Sequence, residues 1–120
     1  MKSNLSHFAV IFPCHEPEAI AEWYRNKLGF KISFKWEEPP SYIVTHKDDV
    51  VSIHFSKTDK KVLQPCLLYI FCRDVNAMYN ELKENGVDQV SKPEDQDYGM
   101  RDFEVVDPWG NRLTFGNGEG

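Results

Sequence analysis

Two histidines, His7 and His54, are the side chains of this sequence that are best suited to chemistry. Each lies in an apolar, β-branched stretch that predicts a strand, over residues 5 to 12 and 50 to 56. Alternate residues of a strand face opposite sides, so both imidazoles face away from the core if their apolar neighbours face it. An imidazole placed there can bind a metal ion, contact a ligand, or change its charge near its ordinary pKa of about 6.5. The neighbours predicted to point the other way, toward the helices, are Phe8, Val10, Ile53 and Phe55.

A second candidate surface is apolar and aromatic. Tyr69 and Phe71 share one face of a predicted strand over 66 to 72 with Leu67. Aromatic faces bind planar or cationic groups with about 0.5 to 2 kcal/mol each. Aromatic residues at strand spacing also build cores, and this alternative stands for Trp36 and Phe103. The further aromatic residues that could complete the lining are Trp36, Tyr42, Tyr98 and Phe103.

The composition is that of a folded cytoplasmic domain. The 120 residues are 41% apolar, which suffices for a core, and no apolar run approaches the roughly 20 residues that cross a bilayer. The three cysteines, Cys14, Cys66 and Cys72, form no CxxC pair, and their odd number cannot close into disulfides. The formal net charge of -5 repels a phosphate backbone. We therefore expect neither a membrane nor a nucleic acid as a partner.

Two predicted helices must position these strands. Pro17 suits the first turn of one helix, and Gly29 suits its left-handed end. In the other helix, Asp74 can accept hydrogen bonds from the first amides, and Gly86 ends the helical pattern. The buried stripes predicted from helical spacing are Ile20, Trp23, Tyr24 and Leu28 in the first helix and Val75, Met78, Tyr79 and Leu82 in the second.

The same order of elements occurs twice, at an offset close to 60 residues. His7 would then correspond to Leu67, and His54 to Thr114. Each half ends in a predicted hairpin, and a half of about 60 residues is marginal alone, so the halves must pack within the chain or between chains. The sequence predicts an α+β fold of two tandem βαβββ modules. The modules are predicted over about residues 4–58 and 65–118, with the linker at 57–64. The later strands of module one are predicted at 30–36, 41–46 and 50–56. The second hairpin is predicted at 102–107 and 111–116.

Two motifs in this order resemble the vicinal oxygen chelate superfamily of glyoxalases, bleomycin resistance proteins and extradiol dioxygenases. Residues 22–30, Glu-Trp-Tyr through Leu-Gly-Phe, are similar to the family's FY..LGF helix end. Residues 98–103 followed by 107–111 are similar to its REF…DPDGN closing segment, with Trp109 in place of the usual acid. The resemblance covers nearly the whole chain. It implies the glyoxalase/bleomycin resistance fold, in which a curved, half-barrel mixed sheet with helices on its convex side encloses a groove.

The resemblance also implies four metal-ligand positions, and they fall on His7, His54, Leu67 and Thr114. Leu67 cannot bind a metal, and the neutral hydroxyl of Thr114 binds divalent cations poorly. A catalytic zinc site usually keeps three protein ligands, and non-haem iron oxygenases use two histidines and a carboxylate. We therefore favour no metal cofactor. The alternative is a divalent metal at His7 and His54, with Glu104 as a conceivable third ligand or general base.

The likeness to bleomycin resistance proteins implies a metal-independent homodimer that sequesters a drug or metabolite and so confers antibiotic resistance, its modules often exchanged between chains. The rivals are a metal-dependent lyase, isomerase or dioxygenase that uses His7 and His54, and an interaction module without a small ligand. The segment 92–99 is either a lid or a solvated connection. Arg101 pairs either with an anionic group of a ligand or with a nearby carboxylate such as that of Asp107. The expected ligand-binding residues are His7, Trp36, Tyr42, His54, Leu67, Tyr69, Phe71, Tyr98, Phe103 and Thr114.

Overall fold

The computed structural model describes residues 2–117, which divide into two compact units with the boundary between Leu63 and Gln64. Each unit contains one helix and one four-stranded mixed sheet. The predicted α+β fold with two βαβββ modules is confirmed.

The first unit contains a sheet with the strand order β1-β4-β3-β2. Strand β1 runs parallel to β4, and the other two pairings are antiparallel. Its core packs helix α1 against one face of this sheet, where the rings of Phe12, Tyr24 and Phe55 meet edge-on or tilted at centroid distances of 5.0 to 6.2 Å. The elements are β1 (Val10–Cys14), α1 (Pro17–Leu28), β2 (Lys31–Trp36), β3 (Tyr42–Lys47) and β4 (Val51–Lys57).

The second unit repeats this plan with the order β5-β8-β7-β6. Strand β5 runs parallel to β8, and the remaining pairings are antiparallel. The ring of Phe103 stacks on Phe115 at 5.3 Å and meets Tyr79 of the helix at 5.6 Å, so Phe103 belongs to the core. The elements are β5 (Leu67–Phe71), α2 (Val75–Glu84), β6 (Glu94–Asp95), β7 (Arg101–Val106) and β8 (Arg112–Asn117).

Both helices begin and end where the sequence predicts. Pro17 opens α1, and Gly29 ends it with φ 78°, a left-handed angle that glycine adopts without strain. The Asp74 carboxylate accepts a hydrogen bond of 2.9 Å from the amide of Ala77 and so caps α2. These ends fix the direction in which the chain returns to each sheet.

The first strand begins later than predicted. It starts at Val10, whereas the apolar pattern predicts a start near residue 5. The paired ladder with β4 begins at Val10, opposite Ile53, so the residues before Val10 stand outside the sheet although β4 itself starts at Val51. Phe8 is 75% exposed, and the prediction that it points to the helix is wrong.

The strand register also corrects the predicted correspondence between the modules. His54 lies opposite Ile11, and Thr114 lies opposite Tyr69. His54 and Thr114 are 60 residues apart, but Ile11 and Tyr69 are 58 apart. The structural counterpart of His7 is therefore Pro65 rather than Leu67. Proline, like leucine, offers no side-chain atom that could bind a metal.

Candidate functional site

The first unit contains an open pocket of about 380 Å³, which we call the histidine pocket. It is lined by His7, by Val44 and His46 of β3, and by Ser52 and His54 of β4. The structure therefore brings His7 and His54 to one pocket and adds a third imidazole. Sequence reasoning missed His46, although the alternation of Val44, Thr45 and His46 along β3 was a signal that could have found it. The remaining lining residues are Asp49, Val50 and Val51.

His54 has a specific partner. The hydroxyl oxygen of Tyr42 lies 2.7 Å from its Nδ1, and the two rings meet edge-on at 5.4 Å. The two predicted ligand contacts Tyr42 and His54 are thus joined to each other. Partial burial lowers the pKa of His54 from its ordinary value, because a charged imidazolium would lose hydration. The ring is consequently neutral at pH 7.

The other two imidazoles of the histidine pocket are held less firmly. His7 is exposed and precedes β1, and its Nδ1 lies 2.9 Å from the hydroxyl oxygen of Ser6. Nε2 of His46 lies 4.0 Å from a carboxylate oxygen of Asp49, which is itself almost fully exposed. Only His54 is fixed by a short hydrogen bond from a neighbouring strand.

The residues present do not fit a metal site of the kind the family implies. Within residues 2–117, no three or more His, Cys, Asp or Glu side chains are grouped so that they could hold a metal ion. Glu104, the conceivable third ligand, pairs at 2.9 Å with the guanidinium of Arg112 in the second unit. The three imidazoles of the histidine pocket are therefore not arranged as the three protein ligands usual for catalytic zinc.

The second unit contains a buried carboxylate with three donors. Asp102 is 6% exposed and accepts hydrogen bonds from the hydroxyl of Tyr69 at 3.1 Å, from the amide of Gln96 at 3.0 Å, and from the hydroxyl of Tyr98. We call these four residues the Asp102 cluster. Sequence reasoning selected both tyrosines as ligand contacts but missed Asp102, which lies on the face of β7 opposite Phe103.

Gly116 makes the Asp102 cluster possible. The side chain of Tyr69 crosses over Gly116, so an added Cβ there would lie 2.7 Å from Cζ of Tyr69 and closer still to its hydroxyl oxygen. Burial first, and then the hydrogen bond and negative charge of Asp102, raise the pKa of Tyr69 to about 12. Tyr69 therefore remains a neutral hydrogen-bond donor at physiological pH.

The predicted aromatic contacts differ in exposure. Trp36, stacked on Phe34 at 6.4 Å, is 58% exposed, and Phe71, packed at 5.0 Å on Tyr69, is 71% exposed. Leu67 is also exposed. Phe103 is only 2% exposed, so its ring belongs to the core, although Phe103 is among the residues that line a pocket of the second unit. The sequence left open whether Trp36 and Phe103 lie on the surface or in the core. Trp36 lies on the surface, and Phe103 lies in the core.

A smaller polar pocket of about 280 Å³ lies in the second unit and includes Thr114, Asp102 and Glu104. Lys92, Glu94 and Gln96 of the predicted lid segment also line it. These residues place the segment 92–99 beside β7, to which β6 is paired.

Arg101 and Asp107 have separate partners. Arg101 pairs with Asp95 at 3.2 Å and contacts the side-chain oxygen of Asn76 at 3.2 Å. The expectation that Arg101 pairs with a nearby carboxylate is confirmed, but the carboxylate is that of Asp95 and not of Asp107, which is buried within its own turn and accepts the amides of Trp109 and Asn111.

No helix in the described part of the chain is long and apolar enough to span a membrane.

Comparison with known proteins identifies the family. The model of the Glyoxalase/Bleomycin resistance protein/Dioxygenase superfamily matches residues 4–115. A search of curated proteins finds no match.

Solved structures share the fold. The bleomycin resistance determinant encoded on transposon Tn5 has a TM-score of 0.81 at 19% identity, over 97% of this chain and 100% of that one. The bleomycin-binding protein of Streptomyces verticillus, solved with copper(II)-bleomycin, scores 0.80 at 20% identity, over 98% and 100%. TioX from Micromonospora sp. ML1 scores 0.79 at 16% identity, over 93% and 98%. With the family model matching nearly from end to end and the two-module fold shared with these proteins, the chain belongs to the glyoxalase/bleomycin resistance protein/dioxygenase superfamily.

Proposed function

We propose that this protein binds a drug-sized aromatic molecule and sequesters it unchanged, without a metal. The observation that carries the proposal is that the protein combines an incomplete set of metal ligands with aromatic side chains exposed to water. His7, His46 and His54 share a pocket, but among the described residues no three metal-binding side chains are grouped so that they could hold a metal ion. Trp36 and Phe71 keep more than half of their surface in water, which is costly unless a ligand or partner covers it. The likeness to bleomycin-binding proteins supports the same choice.

Bleomycin is the natural probe for this proposal, with and without copper(II). In a calorimetric titration we expect binding that an excess of chelator does not weaken, because no metal would link protein and ligand. Mass spectrometry of the released ligand should return it intact. His54→Ala is expected to weaken binding about tenfold, the size of one lost hydrogen bond. The matched control is His15→Ala, since His15 bonds to the carbonyl of Lys60 and does not line the histidine pocket.

A metal-dependent lyase, isomerase or dioxygenase is the second candidate, and the three imidazoles of the histidine pocket are the observation in its favour. It predicts a stoichiometric divalent metal that is lost from the His7→Ala and His54→Ala variants. Such a result, or turnover that disappears with chelator, would replace the sequestration proposal.

We also propose that two copies form a cytoplasmic homodimer. Each unit of about 60 residues is small for independent stability, and both expose apolar side chains. Phe34 and Trp36 in one unit and Leu67 and Phe71 in the other supply apolar surface of the kind that stable interfaces bury. Sedimentation equilibrium should give twice the mass of 14.0 kDa. A monomer at micromolar concentration would contradict this assembly.

A further inference from the structure

The bond between Tyr42 and His54 sets the chemistry that the histidine pocket offers. A neutral imidazole carries one N–H and one lone pair, and the partner of one nitrogen decides which nitrogen has the proton. Nδ1 of His54 lies 2.7 Å from the Tyr42 hydroxyl oxygen. The direction of this single bond therefore decides what the other nitrogen, Nε2, can bind.

Two arguments give the direction. A phenol hydroxyl is a better proton donor than a neutral imidazole, and an imidazole lone pair is a better acceptor than a phenol oxygen. The observed 2.7 Å also lies at the short limit of the usual N–H···O range of about 2.7 to 3.2 Å, which favours the more acidic hydroxyl as the donor. Tyr42 consequently donates to Nδ1, and the proton of His54 lies on Nε2.

The position of Tyr42 shows which nitrogen remains for a ligand. His54 lines the histidine pocket, whereas Tyr42 does not. Nδ1 is therefore engaged by a residue outside the lining, and the nitrogen left for an incoming ligand is Nε2. With Nδ1 accepting the Tyr42 hydroxyl, the ring proton lies on Nε2, which offers an N–H rather than the lone pair that a metal ion requires.

We propose that Tyr42 is a positioning residue that holds His54 as the Nε2–H tautomer and thereby makes the histidine pocket a recognition site for a ligand's oxygen acceptor, a carbonyl or carboxylate. This rests on the proposed binding function and names the chemical group that the ligand would present there. It also gives a physical reason for the pocket to bind without a metal.

The tautomer can be read directly from long-range ¹H–¹⁵N correlations of the imidazole rings at alkaline pH, well above the ordinary imidazole pKa of about 6.5. For His54 we expect the pattern of a single Nε2–H tautomer together with a slowly exchanging hydroxyl proton from Tyr42. In Tyr42→Phe the share of the Nδ1–H form should rise several-fold. Tyr79→Phe removes a hydroxyl on the helix side of the other unit and should leave His54 unchanged. An Nδ1–H pattern in the wild type overturns the proposal, and this reading requires no variant to fold.

The acceptor preference is tested with two probes of similar shape, acetophenone and ethylbenzene, at equal concentration. Acetophenone should shift the Nε2–H signal of His54 in the wild type, and ethylbenzene should not. Equal shifts, or none with acetophenone, would overturn the recognition role. The bleomycin titration is independent of this result, because bleomycin could still bind through the aromatic residues if His54 accepted no oxygen ligand. Conversely, if the tautomer is confirmed but bleomycin does not bind, Tyr42 still positions His54, and bleomycin is excluded as the ligand.

Discussion

Gly116→Ala is expected to destabilise the fold by about 3 kcal/mol, a large share of the stability of a small domain. The backbone of β8 is not the reason, since alanine ordinarily favours a strand slightly over glycine. The cause is steric, because the new methyl group would occupy the space of the Tyr69 ring, with Cζ at 2.7 Å, and approach Cβ of Asp102 to 3.0 Å. Tyr69 must then swing away and leave Asp102 with one donor fewer. Losing a hydrogen bond to a buried carboxylate adds about 1.5 to 3 kcal/mol to the steric cost.

Urea denaturation measures this effect, and a double-mutant cycle with Tyr69→Ala isolates its cause. Once the Tyr69 ring is removed, alanine at 116 no longer collides with it. Gly116→Ala should therefore lower the free energy of unfolding far less in the Tyr69→Ala background than in the wild type. Additive costs would show that the collision with Tyr69 is not the cause. A matched glycine control is Gly99→Ala in the loop, where an added Cβ would meet no atom within 4 Å. Its cost should reflect only its left-handed φ of 87°.

The parts of the fold that the sequence predicts correctly are those set by local chemistry. Pro17, Gly29 and Asp74 act within one turn of their own position, so their identity is enough to place the helix ends. The start of β1 is different, because it depends on where the chain actually pairs with β4. Apolar residues from Leu5 onward satisfy the strand pattern whether or not they pair, and the pattern alone cannot show that the pairing starts only at Val10.

The candidate site illustrates the same limit on a smaller scale. His54, Tyr42, Tyr69 and Tyr98 can be selected singly because their side chains suit binding. Their mutual hydrogen bonds depend on register and on side-chain reach, which spacing does not give. Asp102 looks like an ordinary solvated acid in the sequence, since only the fold brings the Tyr69 and Tyr98 hydroxyls to it. Periodicity leaves open which face of β7 is buried, so Phe103 could be assigned to either side.

Asp107→Ala is expected to have the largest effect, with a loss of about 3 to 5 kcal/mol in the free energy of unfolding. Asp107 is 3% exposed, and its carboxylate accepts three hydrogen bonds of 2.9 Å. The donors are the backbone amides of Trp109 and Asn111 and the side-chain amide of Asn111. Alanine would leave these donors without their acceptor, and water would replace it poorly because Asp107 and Asn111 are only 3% and 5% exposed. An unsatisfied buried donor costs about 1 to 3 kcal/mol, and here there are several.

The damage should extend beyond the turn, because Asn111 also reaches the first residues of the second unit. Its side-chain oxygen accepts a hydrogen bond of 2.9 Å from the amide of Cys66, directly before β5. The orientation of this side chain is fixed by Asp107, so the loss of Asp107 loosens the parallel pairing of β5 with β8 as well. Asp107→Asn should cost less than alanine, since its carbonyl oxygen can still accept the two backbone amides. Its amino group would, however, face the amino group of Asn111.

Chemical denaturation of Asp107→Ala and Asp107→Asn, compared with that of the control Asp95→Ala, measures these losses of stability. Asp95 forms an exposed ion pair with Arg101, and such pairs contribute little to stability. Hydrogen exchange should show faster opening of β5 and β8 in Asp107→Ala, while the first unit keeps its protection. If Asp107→Ala cost no more than Asp95→Ala, the buried carboxylate would not be what holds this turn. The hydrogen bonds made by the family motif at residues 107–111 would then not explain why these residues occur there.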